Sequence, residues 1–210
     1  MMQTIPTKDG DYSFESVHLY HGRKKIAKDI ARENLIILRE ELIKTDIKWG
    51  LIFGTLLGAI REQDFIDHDE DTDVYVFHEH KKKLFNMFSE LKENGFEVVR
   101  YQGYLLSIMR KNEYIDFYFF KRKLFGRRAG ELYVPRRYFS STEIITFHGH
   151  SFPTLNEPRN FLCYTYGPDW DVPRTDSHAQ GNPPLWKMIL RKRFPLSIKV
   201  YRFFKKTEKD

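Results

Sequence analysis

The chain has 210 residues and a net charge of +6, with 41% apolar and 16% aromatic residues and one cysteine. That apolar content supports one packed domain of ordinary size and excludes wholesale disorder; a single cysteine excludes a disulfide framework. The charge is uneven: residues 185–210 hold nine Lys or Arg against two acids, and their +7 leaves −1 for the preceding 184 residues, so the body is not a basic nucleic-acid-binding surface.

Residues 1–21 are polar, weakly patterned and without the apolar core of a secretory signal, and they read as a loose arm. No apolar run approaches the ~20 residues that span a bilayer, so a soluble chain on the cytoplasmic side is expected. From Arg23 to Lys44, the residues Ala27, Ala31, Leu35, Leu38 and Leu42 recur at helical spacing. "KWGLIFG" predicts a short strand ending at Gly54, "TLLGAIRE" a short helix, and residues 72–77 a strand. "HKKKLFNMFSELKENG" predicts one amphipathic helix stopped by Gly95. Three strands follow in "FEVVRY", "YLLSIMR" and "YIDFYFF", then extended segments in "ELYVP" and "EIITF", and a helix over 158–166. Helices interleaved with strands in this order predict an α+β fold, a mixed sheet flanked by helices. By composition the chain divides into the arm 1–21, a body 22–175, a linker 176–184 and a basic amphipathic helical tail 185–210.

The chemistry concentrates in "GTLLGAIREQDFIDHDEDTDVYVF", residues 54–77. Strand alternation puts Asp71, Asp73 and Tyr75 on one face and Thr72, Val74 and Val76 on the core face. Carboxylates at i and i+2 lie roughly 7 Å apart at their Cα atoms, close enough to share one or two divalent cations, and Asp69 precedes them. Asp116 interrupts the apolar strand "YIDFYFF", where a lone acid is costly without a partner. If the two strands are neighbours, the acids form a cluster of the kind that suits Mg²⁺ or Mn²⁺ with substrate phosphates. A solvated acidic loop fits "DEDTD" equally well. A calcium loop of the EF-hand type fails, because its sixth and twelfth positions, counted from Asp69, hold Val74 and His80. Gly54 and Thr55, where a strand meets a helix, suggest a phosphate cradle, with Arg61 and Arg110 as candidate phosphate grips.

These segments, with "YIDFYFF" and "NEPRNFLCYTYGPDWDVP", resemble the LicD family, which includes the fukutin-related proteins. The resemblance spans roughly residues 30 to 173. It implies a nucleotidyltransferase-like fold and transfer of a phosphorylated small alcohol, phosphocholine or an alditol phosphate, from a CDP-linked donor to a glycan or its lipid-linked precursor. Asp69, Asp71 and Asp73 match the family's acidic run, Gly54, Thr55 and Arg61 its leading segment, and Asp116 its later acid. Where the family has Pro-Trp, this chain has Asp67 and His68.

The expected site therefore has Asp71, Asp73 and Asp116 as catalytic residues, Asp69, Asp71, Asp73 and Asp116 as ligands of Mg²⁺ or Mn²⁺, and Gly54, Thr55, Arg61 and Arg110 binding substrate. Release of pyrophosphate from a nucleoside triphosphate, and a non-catalytic glycan- or nucleotide-binding module at a membrane, are the alternatives. Trp49, Tyr75, Tyr118 and Trp170 are candidates for an aromatic cage around a choline group, with simple packing as the alternative for each. Cys163 reads as a small buried apolar residue. The basic residues of 185–210 alternate with large apolar ones, as in segments that lie on anionic membranes.

Overall fold

A computed structural model describes residues 1–19 and 25–173. The linker and basic tail expected at 176–184 and 185–210 lie outside the described residues.

The chain opens on a hairpin, β1 (Met2–Thr7) and β2 (Gly10–Glu15), paired antiparallel with Thr7 opposite Gly10. The loose arm expected there is thus an ordered two-stranded sheet. Gly10 takes a φ of +109°, which only glycine adopts readily. Ile5 and Phe14 are buried, and Tyr12 meets Phe88 edge-on at 4.6 Å between centroids, so two apolar anchors and one ring contact hold an otherwise polar segment.

Helix α1 (Lys28–Leu42) buries Ala31, Leu35, Leu38 and Leu42, the stripe predicted by their spacing. Strand β3 (Trp49–Leu51) leads through Ile52 into α2 (Phe53–Arg61), which begins two residues before the predicted start. Strand β4 (Thr72–Phe77) is followed by a 3-10 turn (His78–His80) and by two short helices, α3 (Lys81–Asn86) and α4 (Phe88–Glu93). One continuous helix was expected here; Met87, at ψ +6°, breaks it. Then come β5 (Glu97–Tyr101), β6 (Leu105–Arg110), β7 (Glu113–Lys123), β8 (Gly126–Ala129), β9 (Leu132–Pro135), a 3-10 turn, β10 (Thr142–Phe147) and β11 (His150–Leu155).

Nine of these strands form one mixed sheet in the order β10-β11-β3-β4-β7-β6-β5, with β8 and β9 continuing from β7. The pairs β11–β3 and β4–β7 are parallel and the remainder antiparallel. This is the α+β architecture anticipated from the element order. On one face, β7 turns Ile115, Phe117 and Phe119 into the core. There α3 brings Phe85 to 5.9 Å from Phe119, and α1 reaches the same face through Asn34, whose amide donates to the carbonyl of Arg110 at 2.9 Å. The opposite face of β4 and β7 carries Asp73, Asp116 and Tyr118. Among the described residues no helix is long and apolar enough to cross a membrane.

A second compact unit begins at Arg159. Helix α5 (Pro158–Tyr166), all but its first residue in this unit, is closed by the Gly167 N–H donating to the Cys163 carbonyl at 2.9 Å. Cys163 is exposed, not buried as its residue type suggested: the helix buries Phe161 and Leu162 instead.

Candidate active site

The parallel pairing of β4 with β7 sets Asp73 directly opposite Asp116. The antiparallel pairings beyond continue the row, with Asp116 opposite Ser107 on β6 and Ser107 opposite Arg100 on β5. A single polar rung therefore crosses four strands. Its members are buried: Asp73 is 6% exposed, Arg100 6%, Ser107 and Asp116 0%. Arg100 Nη2 donates to Asp116 Oδ2 at 2.6 Å and its Nε to Ser107 Oγ at 2.9 Å, while Ser107 Oγ donates to Asp116 Oδ1 at 2.5 Å. Both carboxylate oxygens of Asp116 are thus engaged, which is what a buried charge requires.

Asp73 is fixed from the other side. The Gly54 N–H donates to its Oδ2 at 2.9 Å, and its own N–H donates to Thr55 Oγ1 at 2.7 Å. The Tyr118 hydroxyl also donates to Asp73, with the Tyr118 ring edge-on to Phe53 at 5.1 Å. Phe53 takes a φ of +47°, a strained conformation for a bulky residue, at the sharp turn from β3 into α2. A Cβ on Gly54 would collide with the Asp69 carboxylate and lie 3.2 Å from Asp73 Oδ2. Gly54 is needed because carboxylates press against the start of α2, where the helix N–H groups and dipole favour negative charge.

Two of the residues expected to bind substrate have protein partners. Thr55 is buried, and its hydroxyl accepts from the Asp73 N–H, which ties the start of α2 to β4. Arg110 is on the opposite face of β6 from Ser107. It donates to the Asn94 carbonyl at 2.8 Å and to Asn34 Oδ1 at 3.0 Å, and it pairs with Glu33 at 3.0 Å. Strand alternation carries it away from the carboxylates, so the structure does not bring Arg110 together with the other expected site residues. Arg61 pairs with its neighbour Glu62 at 2.5 Å, and the charge of Glu62 is felt at Asp69.

The electrostatics are those of a site short of positive charge. Burial pushes the Asp69 carboxyl up to about 6. It drives Asp71 and Asp73 well above the usual carboxylate range, with repulsion from neighbouring carboxylates adding to the shift in each. Asp116 is raised by burial too, against the downward pull of Arg100. Asp71 and Asp116 share a hydrogen bond. Among the described residues no group of three or more His, Cys, Asp or Glu side chains is placed to hold a metal ion. The donor set is nonetheless hard oxygen in excess of its cations, and a Mg²⁺ site needs only one or two protein carboxylates, with waters and substrate phosphates filling the rest. The chemistry of these residues fits a divalent cation.

The departure from the family pattern at Asp67 has a local explanation. Lys28, at the start of α1, pairs with Asp67 at 2.5 Å and with Asp64 at 2.9 Å, and the Ile26 N–H donates to the Asp69 carbonyl at 2.9 Å. The extra charge is met by α1, and the same contacts tie down the acidic loop. Of the aromatic-cage candidates, Tyr118 is at the carboxylates. Trp49 packs on Phe152 and Tyr75 on Phe77 and Phe139. Trp170 belongs to the second unit, with Arg159 over its ring.

Comparison with known proteins agrees with this architecture. The family model described as LicD/FKTN/FKRP, nucleotidyltransferase domain matches residues 46–156, from the residues before β3 to the end of β11. Uncharacterized protein RP689 of Rickettsia prowazekii is 27% identical over 154 residues, covering 63% of this chain and 52% of that protein. Uncharacterized protein RT0683 of Rickettsia typhi is 28% identical over 137 residues, covering 63% of this chain and 43% of that protein. The chain thus spans about half the length of these relatives. Among solved structures, the antibiotic-resistance factor ANT(2'')-Ia superposes with a TM-score of 0.52 at 12% identity, covering 86% of this chain and 94% of that one, a likeness of fold. With more than half of its length matched and the carboxylate rung inside the match, the chain belongs to the LicD/FKTN/FKRP nucleotidyltransferase domain family.

Proposed function

We propose that this protein is a metal-assisted transferase that moves a phosphorylated small alcohol, such as phosphocholine or an alditol phosphate, from a CDP-linked donor to a hydroxyl of a glycan or lipid-linked glycan. The observation that carries the reading is the register pairing of Asp73 with Asp116 beside the start of α2, in a member of this family. Asp71 and Asp73, with Asp69 and Asp116 beside them, would hold Mg²⁺ or Mn²⁺. When bound, the cation supplies charge neutralisation for the donor diphosphate and the departing CMP.

The chain's own residues have distinct tasks. Asp116, with both oxygens engaged and no exposed surface, anchors the rung; it is less suited to act as a base, which must reach the acceptor proton. Asp69 and Asp71 form the partly exposed edge of the cluster and meet the donor first. Arg100 and Ser107 fix Asp116, and Gly54, Thr55 and Tyr118 fix Asp73. Positioning and electrostatic stabilisation supply most of the catalysis in phosphoryl transfer, so rigidity of this kind matters to rate. The basic segment 185–210 would hold the enzyme at an anionic membrane, near a lipid-linked acceptor.

The test is incubation of the protein with Mg²⁺, a glycan acceptor extract, a set of CDP-linked alcohols and CTP, with separation of the nucleotide products. CMP from one donor, lost in Asp73→Asn, supports the reading. Pyrophosphate from CTP replaces it with nucleotidyl transfer, the chemistry for which the family domain is named. No turnover in the presence of a donor that binds would favour a non-catalytic module.

A further inference from the structure

The hairpin between β7 and β8 is out of keeping with the rest of the surface. Lys123 pairs with Gly126, so Leu124 and Phe125 form a two-residue loop. Such loops ordinarily carry Asn, Asp or Gly, whose left-handed conformations suit the turn. Here neither residue has a positive φ, so backbone geometry does not call for either side chain. Both project into solvent, Leu124 at 81% exposure and Phe125 at 75%. The tip is braced: β8 pairs with β9, and the Arg136 N–H donates to the Phe125 carbonyl at 2.9 Å. Tyr133, itself partly exposed, lies with its hydroxyl end against Gly126.

Cations surround this apolar tip on both faces of the hairpin. Arg122 and Lys123, with Arg127 and Arg136, line a recess of about 340 Å³ just behind it. Lys121 and Lys123 line a second recess with Arg128 and Tyr104 on the other side. Arg127 is committed to Glu79 and to the ring of Phe77, and Arg128 to Glu131. Lys121, Arg122, Lys123 and Arg136 have no carboxylate partner among the described residues.

Two large apolar side chains at a braced apex, with cations behind them that lack a carboxylate partner among the described residues, match the layering of an anionic bilayer: hydrocarbon at the apex, lipid phosphates one step back. We infer that the β7–β8 hairpin is an interfacial insertion loop, which seats Leu124 and Phe125 among acyl chains while Arg122, Lys123 and Arg136 take lipid phosphates. The inference does not rest on the transfer chemistry, and it places a membrane contact in the body, separate from the basic segment 185–210.

The experiment uses the full chain with phosphatidylglycerol–phosphatidylcholine vesicles, against phosphatidylcholine alone. Leu124→Ser combined with Phe125→Ser should lower partitioning onto the anionic vesicles by roughly ten-fold or more. Partitioning unchanged in that variant would overturn the inference and assign the contact elsewhere. A second readout reports location directly. An environment-sensitive dye on Phe125→Cys, in a Cys163→Ser background, should shift to the blue and be quenched by acyl-chain quenchers. The same dye on Ile144→Cys, an exposed β10 position, should do neither. Equal responses at the two positions, or none at 125, contradict insertion. Competition by a short single-stranded RNA without burial of the dye would make the patch a polyanion site and also overturn it.

Discussion

Asp73 and Asp116 face each other across the parallel β4–β7 pair, one carboxylate held by the start of α2 and the other by Arg100. The two are close in space, far apart in sequence and neutralised unequally. Replacing Asp73 with Asn should lower turnover by at least ~10²-fold, the scale of losing one preorganised electrostatic contact, with the circular dichroism spectrum unchanged. Single-turnover kinetics with Mg²⁺ check this; full activity in Asp73→Asn would remove Asp73 from the site.

Arg100 is predicted to be structural in effect and functional in consequence. Arg100→Met leaves Asp116 buried without its cation, and breaking a buried pair from one side costs about 3–5 kcal/mol. Urea denaturation should show that loss. Arg100→Met combined with Asp116→Asn should recover much of the stability while staying inactive. An equal loss in the single and double variants would mean that packing of the guanidinium, not its charge, is what matters.

The α2 turn gives a third test. Gly54→Ala places a methyl where the Asp69 carboxylate sits, and overpacking of this kind costs about 1–3 kcal/mol. Turnover should fall more than stability does, because the displaced group is a carboxylate of the site. Arg110→Ala is the contrast. It loses bonds to Asn34, Asn94 and Glu33, so about 1–3 kcal/mol of stability should go while donor affinity stays unchanged. Steady-state kinetics on both variants separate the two roles.

The raised carboxyls also predict how metal and pH act on stability. A carboxyl with a higher pKa in the fold than in the unfolded chain holds more protons when folded, so stability falls as pH rises between the two values. For Asp69 that window runs from the ordinary 3.8 to about 6, and Asp71 and Asp73 extend it upward. Ion-paired carboxyls such as Glu33 and Asp46 are shifted downward and act in the opposite sense at lower pH. The informative quantity is therefore the difference from Asp71→Asn. Metal-free wild type should lose melting temperature relative to that variant as pH rises through this window, and Mg²⁺ should restore it. Parallel melting curves across pH would contradict the account.

Much of this was legible in the sequence. The α1 stripe, the acidic entry into β4 and the lone acid of β7 are strong local signals, and they led to the α+β fold and to the carboxylates. Arg100 and Ser107 were missed. An Arg in "FEVVRY" is unremarkable in isolation, and a register shift between Val98 and Arg100 defeats simple alternation. Only the pairing of β5, β6 and β7 reveals their role. The β1–β2 hairpin was hidden because Ile5 and Phe14 are its only buried apolar residues. Strand β11 was hidden by Pro153 in its middle, and β8 by its run of arginines. The partners of Thr55 and Arg110 were not legible for one reason: residue type suggests a phosphate ligand, but the direction of a side chain and its neighbours are set by strand register and packing.

We propose that Asp71 and Asp73, with Asp69 and Asp116 beside them, hold a divalent cation. Mn²⁺ electron paramagnetic resonance on wild type, Asp73→Asn and Arg110→Ala tests it most directly. Mn²⁺ should bind wild type and Arg110→Ala and be displaced by Mg²⁺, and it should fail to bind Asp73→Asn. Binding of Mn²⁺ to wild type and Asp73→Asn with the same affinity would contradict it.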